Sequence, residues 1–305
     1  MTDSSNNPNP SLKRRIFRQL RNFAIGYLLV VLMLAFFQRK LIYVPSREAD
    51  LRSARLGPVA DRVSDVVATT SDGLELNGWH WRSESVNADQ IADGRLVVLF
   101  FHGNGGHRLH RYDECELLND LGADAVIFDY RGYGDNAGSP SEEGLAHDAR
   151  AAWTFLTKRK GVDPGRIILL GESLGGGVAV GLAWELCEQG TSPGGLILRS
   201  TFSTLTDAAS YHYPWLPVRT VLIDRFPSAE RIGDVSCPML FVHGDEDSII
   251  PIKLGQRLFE AAPEESKNGV SKRFVKLTGT GHNDVLHVAG PRVHKAIGEF
   301  FETIR

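Results

Sequence analysis

Hydrophobic and polar positions divide the chain into three stretches. Residues 1–12 are polar and rich in Ser, Asn and Pro, a composition that cannot bury enough apolar surface to order itself. A charge-free run then extends from Asn22 to Gln38, with an unbroken apolar core from Phe23 to Phe37. From Tyr43 onward, short apolar runs alternate with longer amphipathic stretches, the signature of an α/β protein. Two strands are expected at residues 65–70 and 74–81, joined by the turn Ser71-Asp72-Gly73. Further strands are expected at 96–101, 125–129, 166–171, 195–198, 238–243 and 273–277. Most of these are continuous apolar runs, as in buried parallel strands. Helices are expected at about 111–121, 140–160 and 174–187, with a helical tail over 284–305 interrupted near Pro291. The segment Ser139-Pro140-Ser141-Glu142 reads as a capping box opening the second of these helices. Residues 201–237, rich in Tyr, Trp, Pro and Arg, break the alternation and are too long for an ordinary loop. They read as a small cap inserted into the fold.

The run at 22–38 sits at the short limit for crossing a bilayer as a helix, and Arg21, Arg39 and Lys40 at its ends can snorkel. A cleaved signal peptide and a buried helix of the body are the competing readings. No small-residue cleavage site follows the run, which ends in Phe36, Phe37 and Gln38, so an uncleaved single-pass anchor is preferred. The expected organisation is a disordered basic N-terminus over 1–21, an anchor over 22–38 and one globular domain over 39–305. Within about ten residues of the run, five basic residues precede it and three follow, which places the N-terminus in the cytoplasm.

With 305 residues, 42% of them hydrophobic and 23% charged, the chain has enough apolar surface for one large core. Its net charge of −3 conceals an asymmetry. Residues 1–22 carry five basic groups and one acidic, so the remaining 29 basic and 36 acidic residues give the body a net charge of −7. An acidic body has no footprint for a nucleic-acid backbone. The three cysteines, Cys115, Cys187 and Cys237, are too far apart in sequence to suggest a zinc or redox motif. His107 and His110 are three apart, yet no carboxylate or thiol cluster accompanies them, so no metal is expected. Gly132-Tyr133-Gly134-Asp135-Asn136-Ala137 matches a dinucleotide-binding pattern, but no helix opens on it, and it reads as a turn.

The chemistry-bearing motif is Gly171-Glu172-Ser173-Leu174-Gly175, a G-x-S-x-G lying between an expected strand and an expected helix. A serine hydroxyl is a poor nucleophile and must project from a sharp turn where a base can reach it, which is what this pattern supplies in an α/β-hydrolase fold. That fold places its acid and then its base after later strands. Asp247 follows the strand at 238–243, with Asp245 or Glu246 as the alternative acid, and His282 follows the strand at 273–277. Ser173, Asp247 and His282 are therefore the expected catalytic triad. The backbone N–H groups of Leu174 and Asn104 are the expected oxyanion donors, the latter in the loop His102-Gly103-Asn104-Gly105-Gly106. In the cap, Tyr213 and Trp215 are candidates for lining an acyl pocket, and Arg199, at a strand end, for meeting an anionic group. His102 is expected to be a buried support of its loop.

These residues, together with Phe37-Gln38-Arg39-Lys40-Leu41-Ile42-Tyr43-Val44-Pro45, Asp129-Tyr130-Arg131-Gly132-Tyr133-Gly134 and Gly281-His282-Asn283-Asp284, give the chain a family look. It resembles the single-pass membrane α/β-hydrolase-domain serine hydrolases related to yeast bud-emergence hydrolases and animal protein depalmitoylases. The resemblance runs from about Phe37 to the C-terminus. It implies a mostly parallel twisted sheet with helices on both faces and hydrolysis of carboxylic ester or thioester bonds by the Ser173, Asp247 and His282 triad, without a cofactor. The substrate would be a small molecule or an acylated partner near a lipid bilayer. Two positions depart from the family pattern. Asn136 stands where relatives usually carry Ser, and Arg199 where an acidic residue is common. A peptidase, or a non-catalytic membrane-tethered binding protein on the same fold, remains the alternative.

Overall fold

The computed structural model describes residues 12–83 and 95–305. The disorder expected for residues 1–12 thus falls, but for Leu12, outside the described residues. An N-terminal helix, α1 (Leu12–Ile42), leads into an eight-stranded sheet. Its strands are β1 (Val63–Thr69), β2 (Glu75–Trp81), β3 (Val97–Phe101), β4 (Asp124–Phe128), β5 (Ile167–Glu172), β6 (Gly195–Arg199), β7 (Met239–Gly244) and β8 (Arg273–Leu277). Their spatial order is β8-β7-β6-β5-β3-β4-β2-β1. The β1–β2 and β2–β4 pairs are antiparallel and all the others parallel.

Burial on both faces explains the apolar runs. In β3, Val97, Leu99 and Phe101 join one hydrophobic cluster while Val98 and Phe100 join the other, the two-residue period of a strand covered on both sides. On the first face pack α3 (Glu142–Thr154), α4 (Leu174–Glu188) and α8 (Ile252–Ala261); on the second pack α2 (Tyr112–Asp120) and α9 (Val285–Ile304). The cap between β6 and β7 contains α5 (Leu205–His212), α6 (Val218–Val221) and α7 (Ser228–Arg231).

The clearest departures from the expected elements each have a local reason. The basic stretch 13–21 is part of α1 rather than a separate N-terminal segment. Lys, Arg, Gln and Leu are good helix formers, and extending an existing helix needs no new nucleus. The helix α3 starts one residue after its cap Ser141, whose Oγ accepts from the Gly144 N–H, so Pro140 lies outside the helix. The interruption expected near Pro291 in the tail helix is a bend at Ala289, with φ −125° and ψ 16°. The helix α8, absent from the expected elements, begins directly after Pro251 and carries a buried stripe of Leu254, Gly255 and Leu258.

The helix α1 is long and apolar enough to cross a membrane. Most of its surface is exposed, but Val31, Leu34, Ala35, Gln38 and Ile42 are buried or half-buried. Their spacing defines one face of a helix.

Candidate active site

The end of β5 turns abruptly into α4 at Ser173, which has φ 53° and ψ −115°. A non-glycine residue in this region is strained, and the conformation persists because its surroundings leave no alternative. A Cβ on Gly171 would stand 2.5 Å from the carbonyl oxygen of Gly175, and one on Gly175 would collide with the carbonyl of Phe101. Glycine at both positions lets β3, β5 and the start of α4 approach closely enough to hold the turn. The Ser173 N–H donates to the Arg199 carbonyl at 2.9 Å, and the Thr201 hydroxyl donates to the Ser173 carbonyl at 2.7 Å.

Three separate loops converge on the Ser173 hydroxyl. His282, after β8, places Nε2 3.0 Å from Ser173 Oγ and Nδ1 2.7 Å from Asp247 Oδ2. Asp247, after β7, accepts at Oδ1 from the Ile249 and Ile250 N–H groups at 3.0 and 2.7 Å. Burial alone would raise the Asp247 pKa, but the hydrogen bonds from His243 and His282 outweigh it and hold the group down to about 2. Of the alternative acids, Asp245 accepts from the Gly279 N–H and Glu246 is exposed. Asp247 is the carboxylate in contact with the imidazole.

These groups open on a cavity of about 860 Å³ whose walls include Leu174, Asn104, Arg199, Phe202, Leu205 and Ile249. Leu174 is the first residue of α4, where backbone N–H groups have no partner within the helix. The Asn104 side chain ties its loop to the end of α1. Its Nδ2 donates to the Ile42 carbonyl at 2.6 Å, and its Oδ1 accepts from the Val44 N–H and the Tyr133 hydroxyl. Behind it, His102 is fully buried, with Nδ1 2.8 Å from the Gly103 carbonyl, and burial pushes its pKa down to about 3. A neutral His102 supports the loop.

Arg199 lines the cavity but is not free to meet a ligand alone. Its Nη2 lies 3.0 Å from Glu172 and 2.9 Å from Glu114. Arg111 binds the same Glu172 at 2.7 Å. Burial acts to raise the Glu172 pKa, and the two arginines reverse this, holding it at about 2. The ion partners of Arg199 therefore come from α2 and the end of β5, because the carboxyl end of β6 faces the first turn of α2. The residues Arg111, Glu114 and Glu172 were not singled out from the sequence. A charged Glu172 ending an apolar strand was the available signal.

Tyr213 and Trp215 do not line this cavity. They are 52% and 55% exposed on the outer side of the cap, where the Trp215 carbonyl accepts from the Tyr27 hydroxyl of α1 at 2.8 Å. The loop after α5 runs outward along α1 and carries both rings away from Ser173. The wall near the mouth instead includes Ile42, Val44 and Ser46, from the end of α1 and the segment after it. The departure at Asn136 is accommodated by burial, its side chain joining the Asn77 N–H to the Asp129 carbonyl.

An eight-stranded, mostly parallel sheet with a strained serine turn at the end of β5 is the frame of the α/β-hydrolases. A family model described as serine aminopeptidase, S33, matches residues 92–229. An uncharacterized protein of Mycobacterium tuberculosis strain H37Rv is 42% identical over 269 residues, 86% of each chain. Lysophosphatidylserine lipase ABHD12 of Danio rerio is 32% identical over 257 residues, 75% of this chain and 67% of that one. Among solved structures, an alpha-beta hydrolase from Vibrio vulnificus superposes with a TM-score of 0.65 at 23% identity, covering 82% of this chain and 86% of that one. The Pyrococcus furiosus esterase Pf2001 superposes with a TM-score of 0.63 at 18% identity, covering 86% and 98%. The chain belongs to the α/β-hydrolase family of serine hydrolases.

Proposed function

We propose that this chain is a membrane-anchored serine hydrolase that cleaves carboxylic esters of single-chain lipids. The observation that carries the proposal is the hydrogen-bonded series Ser173, His282, Asp247 opening on the cavity beside α1. His282 takes the Ser173 proton at Nε2 as Oγ attacks the acyl carbonyl, while Asp247 accepts from Nδ1–H and stabilises the imidazolium. The Leu174 and Asn104 N–H groups receive the developing oxyanion. Collapse returns the proton to the departing alcohol and leaves an acyl-serine, which water cleaves by the same steps in reverse. No step requires a cofactor.

A single-chain lipid suits the walls because they combine apolar groups, Leu174, Phe202 and Leu205, with the charged set Arg111, Glu172 and Arg199. The lipase relatives support the ester preference. The helix α1 is proposed to cross the bilayer once, with the five basic residues before it on the cytoplasmic side. A peptidase reading is favoured by the description of the matching family model. Against it, the carboxylates Glu114 and Glu172, which could hold a peptide ammonium, are already paired with arginine. Purified full chain should release fatty acid from a monoacyl glycerophospholipid and leave aminoacyl amides intact. Cleavage of the amides without the ester would reverse the assignment.

A further inference from the structure

The cap does not merely sit near α1; it runs along it. At the body end, Gln38 of α1 donates to the Val221 carbonyl and accepts from the Ile223 N–H at 2.7 Å. Beside it, Asp224 accepts from the Arg39 guanidinium and the Tyr43 hydroxyl. Eleven residues earlier in α1, the Tyr27 hydroxyl meets the Trp215 carbonyl. Eleven residues of helix rise about 16 Å. The cap loop therefore follows α1 for more than half of its charge-free run.

That run, Asn22 to Gln38, rises only about 25 Å, against a hydrocarbon layer of about 30 Å. A spanning α1 has no residues to spare, so every part of the run must lie within the layer. No such placement leaves Trp215 in bulk water, because Tyr27 lies well inside the run and its side chain points toward the far end of the helix. On this basis we infer that the cap tip, Tyr211 to Ile223, is itself immersed in the membrane with α1.

The chemistry of the tip agrees with its immersion. From Ala208 to Ile223 there is no acidic residue, and Arg219 is the single Lys or Arg. Tyr211, Tyr213, Trp215 and Ile223 are exposed by 47 to 63%, and Tyr and Trp favour the membrane interface. Its backbone is largely paired from within the chain. The Tyr213, Leu216, Val218, Thr220, Val221 and Leu222 N–H groups bond to nearby carbonyls, and Pro214 and Pro217 have no N–H to satisfy. Each of these internal bonds lowers the cost of bringing non-helical backbone to membrane depth, where an unpaired polar group is expensive. The neighbouring acids Asp207 and Asp224 are buried and bound to arginines. The Lys253 ammonium lies 4.4 Å from the Tyr211 ring centroid, where it can face the phosphate layer.

Immersion of the tip would bring the cavity mouth to the bilayer. Ile249 lines the cavity, and its carbonyl is 2.8 Å from His212 Nε2 at the end of α5, while Ile42 and Val44 line the cavity from the end of α1. A single-chain lipid could then pass sideways between α1 and the cap to Ser173 without crossing water.

This inference rests on the membrane-anchor reading of α1, and one preparation separates the two. Full-length protein is reconstituted into phosphatidylcholine vesicles, washed at alkaline pH, and its tryptophan emission is quenched either by acyl-chain-brominated phosphatidylcholine or by aqueous iodide. The same is done with Trp215→Phe, which keeps the backbone carbonyl that Tyr27 binds. The expected result is emission quenched by brominated lipid and shielded from iodide in the wild type, with that component lost in Trp215→Phe. If the protein stays in the vesicles but the Trp215 component is quenched by iodide and not by bromine, the cap is in water and the inference falls while the anchor stands. If the alkaline wash releases the protein, both fall.

Discussion

In the turn that carries Ser173 the backbone has no room. Adding a Cβ at Gly171, Gly175 or Gly176 drives it into the backbone of the turn, the Phe101 carbonyl or the Thr201 side chain, and the Ser173 hydroxyl and carbonyl are both hydrogen-bonded. From Tyr211 to Ile223 the opposite holds, with large rings half exposed and one hydroxyl from α1 fixing the loop at Trp215. The first region has strain to maintain, and only dense packing on both sides of the sheet maintains it. The second can vary its side chains without disturbing the sheet, which suits a surface that meets a fluid partner. On the proposed reading, chemistry and membrane contact fall to separate parts of the chain, joined where Ile42, Val44 and Ile249 line the same cavity.

The sharpest way to break this comparison is at the nucleophile. Ser173→Ala should reduce kcat on a soluble ester by about a millionfold without lowering the thermal midpoint, since the side chain makes its one hydrogen bond to His282. A residual rate close to wild type would move the chemistry elsewhere.

Next in size is the packing of the turn. Gly175→Ala should destabilise the domain by about 3 kcal/mol, because the new methyl meets backbone rather than a movable side chain. Thermal unfolding of the detergent-solubilised protein reads this directly. A wild-type midpoint would mean that the turn is not as tightly held as described.

Removing one arginine from the wall tests the charged set. Arg199→Met leaves Glu114 and part of Glu172 without a partner and should cost about 2 kcal/mol near neutral pH. Glu172 is held at about 2, below its ordinary 4.5. A carboxylate lowered on folding stabilises fully above its unfolded value and loses that stabilisation as pH falls toward its folded value. The gap between wild type and variant should therefore be full above pH 4.5 and close as pH falls toward 2. A gap that widened on acidification would contradict the pairing.

The cap should give the smallest effects, and only with lipid present. Tyr213→Ser combined with Trp215→Ser should leave hydrolysis of a short soluble ester unchanged and slow that of a vesicle-borne monoacyl lipid by about tenfold, the equivalent of about 1.4 kcal/mol of lost burial. Equal slowing of both substrates would return these residues to the cavity.

Much of the candidate site was legible because its constraints are local. A serine between two glycines, an apolar run before it and a small-residue run after it, define a turn that few other structures need. Asp247 and His282 were legible by their order and by the strands preceding them, with Asp247 preferred over Asp245 partly on the family resemblance, and in the structure Asp245 is bonded to Gly279 instead. Of the cavity walls, Asn104, Leu174 and Arg199 were singled out from the sequence, but the ion partners of Arg199 and the side facing α1 were not. Arg199 faces Glu114 through the pairing of distant elements, and Tyr213 and Trp215 belong to a loop whose direction is set by α1, 188 residues away in sequence at the Tyr27 contact. An aromatic cluster is equally good material for a pocket and for a membrane interface, and composition does not distinguish inward from outward.

The most direct measurement is covalent. Full-length protein and Ser173→Ala are treated with a fluorophosphonate and digested, and the modified peptide is identified by mass. The account predicts one adduct, on Ser173, formed in the wild type and absent from Ser173→Ala, and slowed in His282→Ala because the base is gone. An adduct of equal yield in Ser173→Ala, or one mapping to another residue, would contradict it.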